Sequence, residues 1–165
     1  MAIRKLLLIA HVAVSVGWIG ALVAYLSLDL TTAMSADAPR VRGAYVAMGI
    51  VTPWAILPLA LATLATGVWV ALASRWGLFR HYWVVLSLAL TILGTLVLLV
   101  ELRTVAMHAD VASDPLATDA QVVALQSTLP HSIGGLVVLL VALVLNVVKP
   151  RGVTPYGWRK ERERR

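Results

Sequence analysis

The sequence predicts an all-α membrane protein, a four-transmembrane-helix bundle, from its composition and from the spacing of its charges. Sixty per cent of the 165 residues are hydrophobic and only 13% are charged, whereas a soluble domain has about 25% charged residues. The apolar residues gather into four uncharged runs. Because about 20 helical residues, with a range of about 17–25, cross the hydrocarbon core of a bilayer, each run is long enough to span it.

We expect one transmembrane domain over residues 1–148 and a basic cytoplasmic tail over residues 149–165. The predicted helices cover about 6–28, 44–74, 82–102 and 131–148. Lys and Arg concentrate in cytoplasmic loops. The N-terminus, the second loop and the tail hold eleven of the 14 basic residues, and the first and third loops hold the other three. This asymmetry predicts an N-in/C-in topology.

The connecting segments carry their own signals. The first loop, 30–43, contains Pro39 and is predicted to be irregular. In the long third loop, Thr118-x-x-Gln121 resembles a capping box, which predicts a short helix on the outer membrane surface. Pro53 and Pro58 interrupt helix 2, where each removes a backbone donor. They predict a kink that either shapes the bundle or opens a ligand pocket.

Several function classes are excluded by what the chain contains. The net charge is +6, but half of the basic residues follow Val148, so we expect the tail to contact anionic lipid headgroups rather than nucleic acid. The chain has no cysteine, which excludes disulfides and the covalent attachment of c-type haem. We find no Ser-His-Asp arrangement and no phosphate loop, which argues against a hydrolase or a nucleotide-driven pump.

His11 is the histidine that lies deepest in a predicted span. An ionisable residue inside a membrane helix is by default a functional hypothesis. A neutral imidazole at this depth can ligate haem iron or copper, or pass a proton. The alternative is a histidine that only hydrogen-bonds to a Ser or Thr of a neighbouring helix.

A second pair of histidines, His108 and His131, is predicted near the outer ends of helices 3 and 4. Glu101 lies two turns from His108 on the same face, and Gly134 and Gly135 leave room beside His131 for a flat ring. Two histidines from adjacent helices can ligate one haem. The basic residues that would pair with its propionates are Arg103, Arg40 or Arg42. His81 is interpreted as an interfacial residue.

Copper is an alternative to haem at the same three histidines. Histidine and methionine ligands suit copper, and Met48 is predicted at a depth close to that of His108 and His131. No tight His-x-His or Met-x-x-Met cluster is present, so this signal is the weaker one.

Residues 11–22, His11-Val-Ala-Val-Ser-Val-Gly-Trp18-Ile-Gly-Ala-Leu22, carry a resemblance to known proteins. They resemble the first helix of a small uncharacterised bacterial membrane family, of the copper-resistance-protein-D-like proteins and of the HemJ-type protoporphyrinogen oxidases. The resemblance implies a bacterial cytoplasmic-membrane bundle with His11 near haem or a metal. HemJ-type proteins also carry a lysine in a later helix, which helix 3 lacks here, so oxidase activity is not implied.

These observations together predict a haem-b-binding membrane protein that acts in electron transfer or haem handling. His11 would ligate on the cytoplasmic side, and His108 and His131 on the outer side, with Glu101 and Arg103 supporting them. The alternatives are a non-enzymatic accessory subunit, or passage of copper or a small solute. A homo-oligomer or a redox partner is compatible with any of these interpretations.

Overall fold

The computed structural model describes residues 2–163, and in that part of the chain the regular elements are all helical. They are α1 (Ala2–Met34), α2 (Ala38–Val51), a π-helical segment (Thr52–Ile56), α3 (Leu57–Leu72), α4 (Tyr82–Ser113), α5 (Asp119–Val123), α6 (Leu129–Val148) and α7 (Pro155–Arg162). Arg164 and Arg165 of the basic tail lie outside the described residues.

Four helical stretches are long and apolar enough to cross a membrane, which confirms that this is a multi-pass membrane protein. They are Ile3–Met34, Ala38–Leu72, Tyr82–Ser113 and Leu129–Val148. We call the end of the bundle that carries the start of α1, the 73–81 loop and α7 the terminal end. The opposite end, which carries the 35–37 turn and the 114–128 segment, is the distal end.

The bundle buries several polar side chains beside its apolar core and leaves many large apolar side chains exposed. Thr52, Thr63 and Thr95 are buried, while Val16 and Leu96 are more than half exposed. Membrane helices associate through close packing and polar contacts because lipid is as apolar as leucine. The outward apolar surface is therefore the one that the bilayer covers.

The prediction of an irregular first loop over residues 30–43 is wrong, because α1 continues to Met34 and α2 begins at Ala38. Only residues 35–37 separate the two helices. Pro39 lies in the first turn of α2, where its missing N–H leaves no intrahelical bond unmade. Likewise, α4 extends to Ser113, beyond the predicted end at about 102.

The two prolines of the second span accompany a local change of helix type. Pro53 lies inside the π-helical segment, and Pro58 lies in the first turn of α3. The Thr52 hydroxyl donates a 2.7 Å hydrogen bond to the carbonyl of Met48 in the preceding turn. Such π segments often occur at functional sites, and this one borders the cavity described below.

The predicted capping box is confirmed at the distal end. The Thr118 hydroxyl accepts from the backbone N–H of Gln121, and the Gln121 side chain accepts from the N–H of Thr118. The helix that follows, α5, packs against α2 through the fully buried Val122. Arg42 fixes the preceding turn by donating to three carbonyls, those of Ala112, Asp114 and Ala117.

Candidate functional site

A cavity of about 290 Å³ lies between α1, α4 and α6 in the distal half of the bundle. Its walls are mostly apolar and include Trp18, Leu22, Leu98 and Leu139. Ligand pockets are usually about 300–1,000 Å³ and largely apolar with a few polar groups. By size and lining, this cavity is at the small end of that class.

Three glycines line this cavity, where other residues would place side chains. Gly94 of α4 and both Gly134 and Gly135 of α6 line it. A Cβ atom on Gly135 would lie 3.4 Å from Leu22 Cδ2, so any larger side chain there would grow toward the cavity. The space therefore exists because these positions lack side chains.

On the side of α4 and α6, the cavity is bordered by residues that are exposed on the outside of the bundle. Leu93 and Val97 of α4 and Gly134 of α6 line it and are also exposed. Because the exposed surface of these helices faces lipid, a molecule dissolved in the bilayer can reach the cavity without crossing water.

A carboxyl group and an imidazole lie close together at the distal rim of the cavity. His131 Nε2 is 3.4 Å from Glu101 Oε1, and the side chains are 54% and 16% exposed. Both residues line the cavity. They give its otherwise apolar wall one group that accepts hydrogen bonds and one that can donate them or ligate a metal.

Asp29 is a further buried polar group at this end, and it joins α1 to α6. It is completely buried. Its carboxylate accepts hydrogen bonds from the hydroxyls of Thr128, at 2.9 Å, and Ser132, at 2.6 Å. The Tyr25 hydroxyl lies 3.3 Å from Thr128 Oγ1. Tyr25, Thr128 and Ser132 all line the cavity, so this network forms its distal wall.

Asp29 is not among the site residues predicted from the sequence. Its position was available from the sequence, because Asp29 follows Trp18, Leu22 and Tyr25 at helical spacing on one face of α1. All four side chains are buried. A carboxylate that continues a buried stripe at the end of a span is the signal that would have found it.

His108 is not on the same wall as His131. Its ring meets Tyr45 of α2 edge-on, with ring centroids 5.2 Å apart, and it does not line the cavity. The side chain is buried, and its Nδ1 has no hydrogen-bond partner in the described part of the chain. Within this bundle, one imidazole reaches the cavity from the distal end.

His11 lies in the other half of the molecule. It is 18 residues before Asp29 on α1, or about 27 Å at about 1.5 Å per residue. Its Nδ1 is 3.0 Å from Thr66 Oγ1. The Thr66 hydroxyl also donates to the carbonyl of Ala62. A Cβ on Gly67 would lie 3.1 Å from His11 Cε1, which indicates close ring-to-backbone packing.

None of the arginines considered for propionates lines the cavity. Arg42 is occupied by loop carbonyls, and Arg40 lies 3.6 Å from Asp37. Arg103 is exposed on α4. Over residues 2–163, no group of three or more His, Cys, Asp or Glu side chains could hold a metal ion.

Comparisons of this chain with protein-family models, with curated proteins and with solved structures found no match. The site is therefore interpreted from its own geometry.

Proposed function

We propose that this protein takes a flat, largely apolar molecule from the bilayer into the cavity between α1, α4 and α6. The observation that carries the proposal is a glycine-walled apolar cavity that is bordered by exposed residues of α4 and α6 and has Glu101 and His131 at its rim. An apolar pocket with a few convergent polar groups is the usual form of a small-molecule site. The apolar part of the ligand would fill the cavity, and its polar edge would meet the Glu101–His131 pair.

Haem b is the specific ligand that we propose within this class. His131 would hold the haem, and Glu101 would orient the imidazole, as carboxylates do for metal-bound histidines. Because the cavity volume is at the small end for ligands, part of the ring would extend beyond the cavity between α4 and α6. Haem would supply one-electron chemistry, consistent with electron transfer or haem handling.

The positions of the three histidines support one histidine ligand for haem rather than a pair. His108 contacts Tyr45 instead of the cavity, and His11 is packed against Gly67 and Thr66 about 27 Å away along α1. The resemblance of residues 11–22 implies haem or a metal near His11, and His11 does not line this cavity.

We also propose the orientation and location that the charges favour. The N- and C-termini would face the cytoplasm, the cavity would lie in the outer half of a bacterial cytoplasmic membrane, and α5 would rest on its outer surface. The basic tail would contact anionic headgroups. A homo-oligomer or a redox protein would then meet the outer half of the bundle.

The experiment is an absorption spectrum of detergent-solubilised protein from haem-replete cells, followed by solvent extraction and mass spectrometry. Haem b predicts a Soret band that is lost in His131→Ala and kept in His81→Ala, a matched control at the terminal end. An extracted organic ligand without a Soret band would support the cavity as a binding site and contradict haem as its ligand. A preparation with no Soret band and no extracted ligand would contradict both proposals.

A non-enzymatic accessory subunit is the second candidate, and the contacts of His11 favour it. The His11–Thr66 hydrogen bond and the close approach to Gly67 give this histidine a complete structural role. This candidate predicts protein without any extractable ligand. The copper alternative predicts metal in elemental analysis, and the absence of a three-ligand group in residues 2–163 gives it no geometric support.

A further inference from the structure

We infer that a second pocket, at the terminal end, binds the phosphate headgroup of an anionic phospholipid. The pocket has a volume of about 360 Å³ and does not depend on the cavity ligand proposed above. It lies between the 73–81 loop and α7, and the residues that matter for binding are Leu72, Arg75, Leu78, Phe79, Arg80 and Tyr156.

The pocket is built by a fixed turn. The Ser74 hydroxyl accepts from the N–H of Trp76 and donates to the carbonyl of Ala71. Gly77 has φ of +62°, a left-handed conformation that favours glycine. His81 Nδ1 lies 2.9 Å from the Trp76 carbonyl oxygen. These contacts hold the loop in one conformation.

The tail closes the pocket by docking on this loop. The Thr154 hydroxyl donates a 2.6 Å hydrogen bond to the carbonyl of Phe79, and the Thr154 N–H donates to the carbonyl of Arg80. Thr154 also caps α7 by accepting from the N–H of Gly157. This docking brings Tyr156 to the loop, so the pocket wall combines segments that are far apart in sequence.

Two guanidinium groups line the pocket, and neither forms an ion pair with an acid among residues 2–163. Arg75 lies over the ring of Trp76, with its Cζ 4.7 Å from the ring centroid, which positions the group and leaves its N–H donors free. The stem of Arg80 packs on Gly77. Arginine matches phosphate because its planar donors bind two oxygens at once.

The other half of the pocket favours a lipid over a soluble phosphate compound. Leu72, Leu78 and Phe79 provide an apolar wall, and Leu72 and Phe79 are 66% and 55% exposed. The loop joins the end of one membrane-spanning stretch to the start of the next, so it lies at the membrane–water interface. Exposed Trp69, Tyr82 and Trp158 surround it, as in the aromatic belts of membrane proteins.

The local charge is compatible with an anion. Lys160 of α7 adds a further basic group, and Glu163 forms a 2.8 Å ion pair with it. Glu161 is the other acid of α7, and it is exposed. The two arginines therefore face the pocket with their charges uncompensated by an ion pair in the described chain.

Native mass spectrometry of the full chain from mixed phosphatidylglycerol and phosphatidylcholine micelles tests this site. We expect wild-type protein to retain phosphatidylglycerol selectively. The double variant Arg75→Ala/Arg80→Ala should lose about fivefold in retention per arginine, which corresponds to about 1 kcal/mol for each basic group near an anionic lipid. The matched control is Arg40→Ala/Arg103→Ala, which removes the same charge from exposed positions at the distal end, away from the pocket and the basic tail. Equal losses in both double variants would overturn the site.

Two further variants guard against loss of folding. Arg75→Lys/Arg80→Lys keeps the charge, and we expect intermediate retention because lysine cannot bind phosphate with two parallel donors. Gly157→Ala changes no charge, but its Cβ would lie 2.5 Å from the Arg80 carbonyl oxygen. It should displace α7 and lower retention. Unchanged retention in both of these variants would contradict the proposal.

The source of the phosphate is tested by thermal unfolding in a zwitterionic detergent. We expect short-chain phosphatidylglycerol to raise the melting temperature of wild-type protein and to have less effect on Arg75→Ala/Arg80→Ala. Inorganic phosphate should give a much smaller rise. Equal protection by inorganic phosphate would overturn the assignment to a lipid.

Discussion

Replacing Asp29 by alanine removes the acceptor for two buried hydroxyl groups that join α1 to the start of α6. Thr128 is the residue that precedes α6, and Ser132 lies in its first turns. Both hydroxyls donate to the Asp29 carboxylate, which is fully buried. We therefore expect Asp29→Ala to loosen the contact between α1 and α6 and with it the distal wall of the cavity.

The size of the effect follows from the hydrogen bonds lost. Hydrogen bonds between membrane helices contribute about 0.6 kcal/mol on average and about 1.7 kcal/mol at most. Two such bonds give about 1–3 kcal/mol. Some of this is recovered, because Ser132 can donate to the Leu129 carbonyl and Thr128 can bond to Tyr25. We expect a loss of about 1–2 kcal/mol in the free energy of unfolding.

The assay is equilibrium unfolding in mixed micelles by sodium dodecyl sulfate, followed by tryptophan fluorescence. Asp110→Ala is the control, since Asp110 is an exposed acid at the same end and should change stability by less than about 0.5 kcal/mol. A double-mutant cycle with Ser132→Ala should give a coupling energy close to one hydrogen bond. The reasoning is refuted if Asp29→Ala unfolds like wild-type protein or if the cycle shows no coupling.

Three further variants test other contacts. Gly67→Val should destabilise the bundle by about 1–3 kcal/mol in the same assay, because its Cβ would press on the His11 ring, whereas Gly20→Val, which meets no atom within 4 Å, should not. His11→Ala should lower the free energy of unfolding by about 0.6 kcal/mol, the contribution of one interhelical hydrogen bond. It should leave the extracted cavity ligand unchanged, and loss of that ligand would contradict the separation of His11 from the cavity. Arg42→Lys should increase hydrogen exchange in residues 112–119, because lysine cannot reach three carbonyls at once; unchanged exchange there would show that Arg42 does not hold the turn.

The four spans and the capping box could be predicted because each depends on local sequence. An uncharged run of sufficient length becomes a membrane helix whatever its neighbours are, and Thr118 and Gln121 cap a helix through contacts three residues apart. The structure of the 30–43 segment could not be predicted in this way, because Pro39 is equally typical of a loop and of the first turn of a helix. The docking of α7 also depends on contacts between Thr154 and a loop some 75 residues earlier.

The arrangement of the histidines could be predicted only in part, because the neighbour of a helix face changes along its length. Glu101 and His108 are seven residues apart on one face of α4. Glu101 meets His131 in the first turn of α6, but His108 is two turns further on and meets Tyr45 of α2 instead. Helical periodicity identifies the inward face and does not identify which helix it meets.

The measurement that tests the central claim most directly is the ligand content of Gly135→Leu compared with Gly20→Leu. Leucine at 135 would grow into the cavity beside Leu22, whereas leucine at 20 meets open space. After purification and solvent extraction, we predict one apolar ligand in wild-type protein and in Gly20→Leu, and none in Gly135→Leu. The same ligand content in all three proteins, or no ligand in the wild type, would contradict the proposal that this cavity is a binding site.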